Sequence, residues 1–265
     1  MPVYGVDISL YQRGIDFNEL KRNGVEFVII KSSERLFRDP AFEQNYKSAI
    51  NAGLKVGAYH YLTASTIEEA KREAEYCNSA IYGKSFEYPI FCDFEESKYK
   101  MNSCDYNAEL IKAFCTTLEN KGWWTGIYCN YDFYLNYINK NIFDRFSFWC
   151  AFWGSNKPDI KSIQMWQFGG EVNLLKSSTI AGFIIDQNYC YIDYPKCIKE
   201  KGLNNLIKDF IPMKEIEYIV KSGDTLWGIA ESFYGDGSKY KEIADYNNIK
   251  NPSLISVGQK IKIRR

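Results

Sequence analysis

The sequence has one histidine, His60, no C-x-x-C pair, no net charge and no apolar run long enough to span a membrane. Each shortage removes a class of function. Zinc amidases and peptidases ordinarily need two or three histidine ligands, which this chain cannot supply. A cysteine hydrolase of papain-like order needs its cysteine upstream of its histidine, and the first cysteine, Cys77, follows His60. Lys+Arg and Asp+Glu both total 33, which excludes a generic electrostatic binder of nucleic acid or of an anionic membrane. No glycine-rich phosphate-cradling loop accompanies the acids, so neither a metal nor a cofactor is expected. The opening MPVYGVDISL lacks the charged and apolar regions of a secretory signal, and the expectation is synthesis in the cytoplasm. The eight cysteines fit that compartment. Most lie inside apolar runs and read as small buried hydrophobes rather than disulfides.

Aromatic residues are plentiful: 21 Tyr, 17 Phe and 6 Trp make up 17% of the chain. Such a load suits a thick core or a sugar-stacking surface. Apolar strand-like runs fall at 3–9, 26–33, 54–62, 88–93, 124–130, 146–153, 162–168 and 181–189. Helix-like stretches fill the first four intervals. Ser65 with Glu68 or Thr66 with Glu69 can form a capping box, and Asp105 can cap the next helix. β/α alternation with strands apolar on both faces predicts a parallel sheet, and eight units predict a closed β/α barrel. The later connections are short and irregular, so few outer helices are expected there. The expected divisions are a barrel over 1–201, a connector over 202–215 and a small α+β unit over 216–265.

The stretch YPIFCDFEES, residues 88–97, runs from apolar residues straight into Asp93, Glu95 and Glu96. In a parallel barrel the C-terminal strand ends carry the active site. Asp7 ends the first strand, Asp93 and Glu95 the fourth and Asp186 the eighth. Asp93 and Glu95 are two apart, hence on one side of their strand, roughly 6.6 Å between Cα atoms. Clustered carboxylates repel, so at least one is held protonated. A neutral acid can protonate a leaving oxygen while an ionised neighbour steadies a developing positive charge, which is glycosidase chemistry.

With these residues placed, the chain resembles glycoside hydrolase family 25, the cell-wall muramidases. The carriers are GVDIS, FVIIKSSE, GAYHYL, FCDFEE, GIYCN, FWCAFWG, MWQF and IDQN, in that order over about 3–200. The resemblance implies an eight-stranded β/α barrel that cuts the β-1,4 bond between N-acetylmuramic acid and N-acetylglucosamine. It implies Glu95 as general acid, Asp93 as ionised partner orienting the substrate's 2-acetamido group, and Asp7 and Asp186 as the rest of the acidic floor. His60, Tyr61, Tyr128, Trp149 and Trp166 are candidate substrate contacts, with packing the alternative for each. KSSER and Trp153 depart from the family's usual A-T-E-G and Tyr, which bears on the groove rim.

The tail resembles a LysM module over 218–263, carried by YIVKSGDTLWGIA, NNIKNP and VGQKIKI. That implies a βααβ unit with strands at 217–221 and 260–263 and helices near 225–234 and 239–247. It also implies a glycan groove walled by Gly223, Asp224, Thr225 and Leu226, with Asn251, Pro252, Ser253, Leu254 and Ile255 opposite. Trp227 and Ile229 are expected in the core. Together the two resemblances imply a bacterial peptidoglycan hydrolase released in endolysin fashion. The rivals are an autolysin exported another way, a non-catalytic wall-binding protein on a retained barrel, and a chitinase-type barrel. FCDFEE lacks the chitinase pattern's extra upstream acids.

Overall fold

The computed structural model describes residues 2–206, 215–234 and 236–264, so most of the expected connector, 207–214, lies outside the described residues. Backbone contacts divide the chain into two units, Met1–Lys208 and Asp209–Arg265.

The first unit is a ring of eight strands: β1 Val3–Ile8, β2 Phe27–Glu34, β3 Lys55–Tyr61, β4 Ile90–Asp93, β5 Thr125–Asn130, β6 Ser147–Ala151, β7 Met165–Gly169 and β8 Asp186–Cys190. Pairing of β1 with both β2 and β8 closes it. Seven strands run parallel. β8 runs antiparallel to β1 and to β7, which corrects the all-parallel expectation. The reason lies in residues 170–185. They hold no helix, only a two-residue pairing of Thr179–Ile180 with Phe183–Ile184. Without a crossover helix the chain cannot return to the far end of the barrel before re-entering the sheet. It therefore re-enters at the mouth, and Asp186 begins its strand rather than ending it.

Helices α1 Phe17–Arg22, α2 Phe42–Asn51, α3 Ile67–Ile81, α4 Cys104–Glu119, α5 Tyr131–Asn136 and α6 Tyr194–Lys201 lie outside the strands, with none between β6 and β8. The box on α3 is Thr66 with Glu69. α4 is capped by the Ser103 hydroxyl, which accepts from the Tyr106 amide, and Asp105 sits in its first turn instead.

Strand alternation splits the apolar residues into two cores. Val6, Val28, Val56, Cys92, Ile127 and Phe148 face outward under the helices. Phe27, Ile29, Phe91, Tyr128, Trp149 and Met165 fill the lumen. The lumen is packed because glycines leave room for large side chains paired with them on the neighbouring strand. A Cβ at Gly5 would strike the Phe27 ring, and one at Gly126 the Phe91 ring. Six of the eight cysteines are buried, Cys104 and Cys197 are not, and all are free thiols.

The second unit has its own core of Val220, Leu226, Ile229, Ala230, Ile243, Ala244, Ile261 and Ile263. Its strands, β9 Glu215–Ile219 and β10 Lys260–Arg264, pair antiparallel, with α7 Leu226–Tyr234 and α8 Tyr240–Tyr246 between them.

Candidate active site

The strand alternation that sends Val6, Cys92 and Phe94 outward turns Asp7, Asp93 and Glu95 into the lumen at one end of the barrel. Asp7 pairs directly with Asp186 across β1 and β8. Opposed side chains in such a pair stand about 4.5–5.5 Å apart at Cβ. Asp93 lies between Tyr61 of β3 and Tyr128 of β5 in the register. The four acids therefore meet at one mouth.

Asp7 is fixed. Its Oδ2 accepts from Gln167 Nε2 at 3.0 Å and from Asn188 Nδ2 at 2.7 Å. Gln167 Oε1 in turn accepts from the Tyr128 hydroxyl at 3.2 Å and from Trp153 Nε1 at 3.1 Å. Asn188 Oδ1 accepts from Trp149 Nε1 at 2.8 Å. Sequence reasoning quoted MWQF and IDQN without singling out Gln167 or Asn188. Alternation from Met165 and from Asp186 puts both in the lumen, and that signal would have found them.

Asp93 is 5% exposed, and its Oδ1 is buried with no hydrogen-bond partner among the described residues. A buried acceptor left in that condition costs about 1–3 kcal/mol, so the site holds an unfilled demand for a donor.

Burial raises all four acids. Asp7 is pushed up to about 6 by burial, opposed by its two amide donors and reinforced by the Glu95 charge. Asp186 is pushed to about 8 by burial and by the charges of Asp7 and Glu171. Asp93 rises well above the usual range through burial and the Glu95 charge, and Lys31 opposes the rise. Glu95 rises through burial and the Asp186 charge, again opposed by Lys31. The Asp93 and Glu95 charges repel, so the pair ionises in two coupled steps.

The other expected contacts divide. Tyr61 is half-buried at the mouth, its ring 5.0 Å from Lys31 Nζ. Tyr128 lines an open cavity of about 380 Å³ with Glu95, Asn130, Phe152, Trp153 and Gln167. Trp153, 43% exposed, is the large ring of that rim. Trp149 is a floor residue rather than a platform. It is 1% exposed, wedged edge-on against Phe91 at 5.1 Å. Trp166 and His60 face the outer core and cannot meet a ligand in the lumen. Trp166 donates to the Phe152 carbonyl and packs on Phe168 and Tyr189. His60 is fully buried against Phe114, 2.8 Å from Ser33 Oγ through Nδ1 and 2.9 Å from Glu73 Oε2 through Nε2. Burial lowers His60, so the neutral ring donates to the carboxylate and accepts from the serine. A separate cavity of about 840 Å³ opens at the opposite strand ends around Thr125, Ser147 and Gln164 and holds none of the four acids.

In the second unit Asp224 Oδ2 accepts from the Tyr218 hydroxyl and the Lys221 amide, and Thr225 Oγ1 accepts from the Gly228 amide to start α7. Gly223 has φ 88°, a left-handed turn that favours glycine. Asn251 Oδ1 accepts from the Ser253 amide in the turn that holds Pro252. Leu254 is 71% exposed and Ile255 packs partly on the core. Leu226 is 1% exposed in that core, so its side chain walls no groove. Ile229 is also in the core, whereas Trp227 is 56% exposed, its ring lying over Gly237.

The sequence matches the family model for glycosyl hydrolases family 25 over residues 6–176, a span that includes Asp7, Asp93 and Glu95 and stops short of Asp186. The LysM domain model matches residues 218–264. The autolytic lysozyme of Clostridium acetobutylicum is 31% identical over 245 residues, covering 85% of this chain and 74% of that one. Among solved structures, the CTP1L endolysin aligns with TM-score 0.64 at 28% identity, over 74% of this chain and 69% of that one. The bacterial lysozyme from Streptomyces coelicolor aligns with TM-score 0.65 over 78% of this chain and 99% of that one. At 23% identity the latter speaks to the fold alone.

Proposed function

The chain belongs to glycosyl hydrolase family 25 and carries a LysM domain, and on that premise we propose how its residues act. It is a peptidoglycan hydrolase, a muramidase that cleaves the β-1,4 bond between N-acetylmuramic acid and N-acetylglucosamine, held on the wall by its LysM module. The division of labour follows the two separate cores, with cleavage in 1–201 and wall binding in 216–265.

The observation that carries the residue assignment is the orphaned Asp93 Oδ1, buried beside Glu95. A 2-acetamido group brings an amide N–H. Donated to that oxygen, it favours the Asp93 anion. The shared proton then passes to Glu95, which delivers it to the glycosidic oxygen as the bond breaks. The acetamido carbonyl, oriented by the same contact, attacks the anomeric carbon. Glu95 later takes a proton from the water that opens the cyclic intermediate. Asp7, once ionised, opposes the oxocarbenium-like charge, while Asp186, pushed up to about 8, keeps its proton beside it at neutral pH. Tyr61, Tyr128 and Trp153 border the sugar, and the loops 223–225 and 251–255 hold glycan in the module. Eight free thiols support folding in a reducing compartment before the protein reaches the wall, in endolysin fashion.

Glu95→Gln tests the assignment. Wall clearing is expected to disappear while wall binding stays. A Glu95→Gln variant that still clears walls removes Glu95 from the role of acid, and one that no longer binds them puts wall recognition in the barrel.

A further inference from the structure

The mouth gathers four acids, and the reaction needs the Asp93–Glu95 pair to hold one negative charge and one proton. Strand β2 bears on that balance through a break in its alternation. Lys31 pairs with Tyr59 and Ser33 with His60, so Ser32 is an extra residue on the β2 side. Ser32 Oγ donates to the Tyr59 carbonyl, and Ser33 Oγ meets the outward-facing His60. Glu34 then pairs with Tyr61. A bulge of this kind re-aims the residues that follow it. Here it brings Lys31 and Glu34 to the same, lumen side, where strict alternation would have turned Glu34 away.

The two form a clamp. Lys31 Nζ lies 2.7 Å from Glu34 Oε2 and 5.0 Å from the centre of the Tyr61 ring. The Lys31 side chain is only 15% exposed. A half-buried ammonium over an aromatic face keeps its position better than a surface lysine. Lys31 acts on Asp93 and Glu95 of β4 and its loop, and around that pair stand the like charges of Asp7 from β1, Asp186 from β8, Glu96 from the same loop and Glu34 of its own strand. The Tyr59, Tyr61 and Tyr128 hydroxyls stay neutral, and the neutral His60 stands behind the strand.

We propose that Lys31 is a positioning residue of the reaction: clamped by Glu34 and the Tyr61 ring, its ammonium is the counter-charge that lets the buried Asp93–Glu95 pair carry one negative charge. An anion placed there without it would face only like charges and a desolvated pocket. Lys31 acts on both acids in the same sense, opposing their burial. Glu34 acts on Asp93 in the opposite sense. The inference rests on the muramidase reading above.

The test is kcat/KM against pH on purified wall fragments, for the wild type, Lys31→Gln, Lys31→Arg and Glu34→Gln. A bell-shaped profile reports the ionised and the protonated member of the pair. Lys31→Gln should move both limbs toward alkaline pH by about one unit, the scale of one nearby opposite charge. Lys31→Arg should keep the limbs in place. Glu34→Gln, at a side chain 44% exposed, removes an anion while the Tyr61 ring still holds the ammonium, and should move the limbs toward acid. It decides the question if Lys31→Gln does not fold. Lower activity at every pH with unmoved limbs in Lys31→Gln, or unmoved or alkaline-shifted limbs in Glu34→Gln, overturns the proposal. A wild type that leaves no new reducing ends on muramic acid sinks the muramidase reading. A wild type that leaves them, with limbs that ignore both variants, sinks this inference alone.

Discussion

At Asp93 a single oxygen is buried and has no donor among the described residues, and the proposed mechanism turns on it. Removing the acid beside it should be severe. Glu95→Gln is expected to lower kcat about 10²–10⁴-fold, the usual contribution of a positioned acid, as read by reducing-end release from wall fragments. The neighbours make a different prediction, about stability. Asp186 has its folded value raised from 3.8 to about 8. A raised acid gives its full stabilisation below its unfolded value and loses it as pH climbs through the folded one. Asp186→Asn should therefore leave the melting temperature unchanged near pH 4 and raise it by about a few degrees near pH 9, by thermal unfolding at the two pH values. Equal shifts at both would show that Asp186 titrates without strain. Asp7, Asp93 and Glu95 were legible in the sequence because apolar strands that end in acids need little more than alternation to place them. Trp149, Trp166 and His60 were not. Adjacent strand residues face opposite ways, and only the register says which way is in.

Strands and helices set that register, and His60 shows what they contribute. It ties β3 to Ser33 of β2 and to Glu73 of α3, whose Oε1 and Oε2 also accept from the Thr63 hydroxyl and amide. Burial would raise Glu73, but those donors hold it below the ordinary value. Its stabilisation is present above the unfolded carboxylate range and lost as pH falls through the folded value, the opposite sense to Asp186. His60→Ala should cost about 2–4 kcal/mol by denaturant unfolding, through a cavity and orphaned partners. Activity per folded molecule should hold, since the ring lies outside the lumen. A selective loss of kcat with unchanged stability would return His60 to the site. The lumen makes a sharper demand. Gly126→Val would drive a branched side chain into the Phe91 ring, and soluble folded protein is not expected from that variant. Existence and order of the eight strands were readable from apolar runs and intervening helical spacing. The reversal of β8 was not, because a loop without a helix does not say by itself that the chain turns back.

For the whole molecule, two cores without shared residues mean two units that each bury their own apolar face. The module's role follows from effective concentration: weak glycan binding fused to an enzyme multiplies encounters with a polymer. Residues 1–208 alone should cut soluble wall fragments at the full-length rate, yet clear intact walls at least about tenfold more slowly, by turbidity at matched concentration. Equal clearing would leave the module without a part in substrate capture. The tail was legible as a unit because GDTLW and the NP turn carry distinctive turn chemistry. Its core was less so: Leu226 and Trp227 are adjacent, and helical spacing alone does not say which one faces inward.

The most direct measurement is mass spectrometry of bacterial wall digested by the full chain. New reducing ends on N-acetylmuramic acid, absent with Glu95→Gln, are the predicted result. New ends on N-acetylglucosamine, or stem peptides freed from intact glycan, would contradict it.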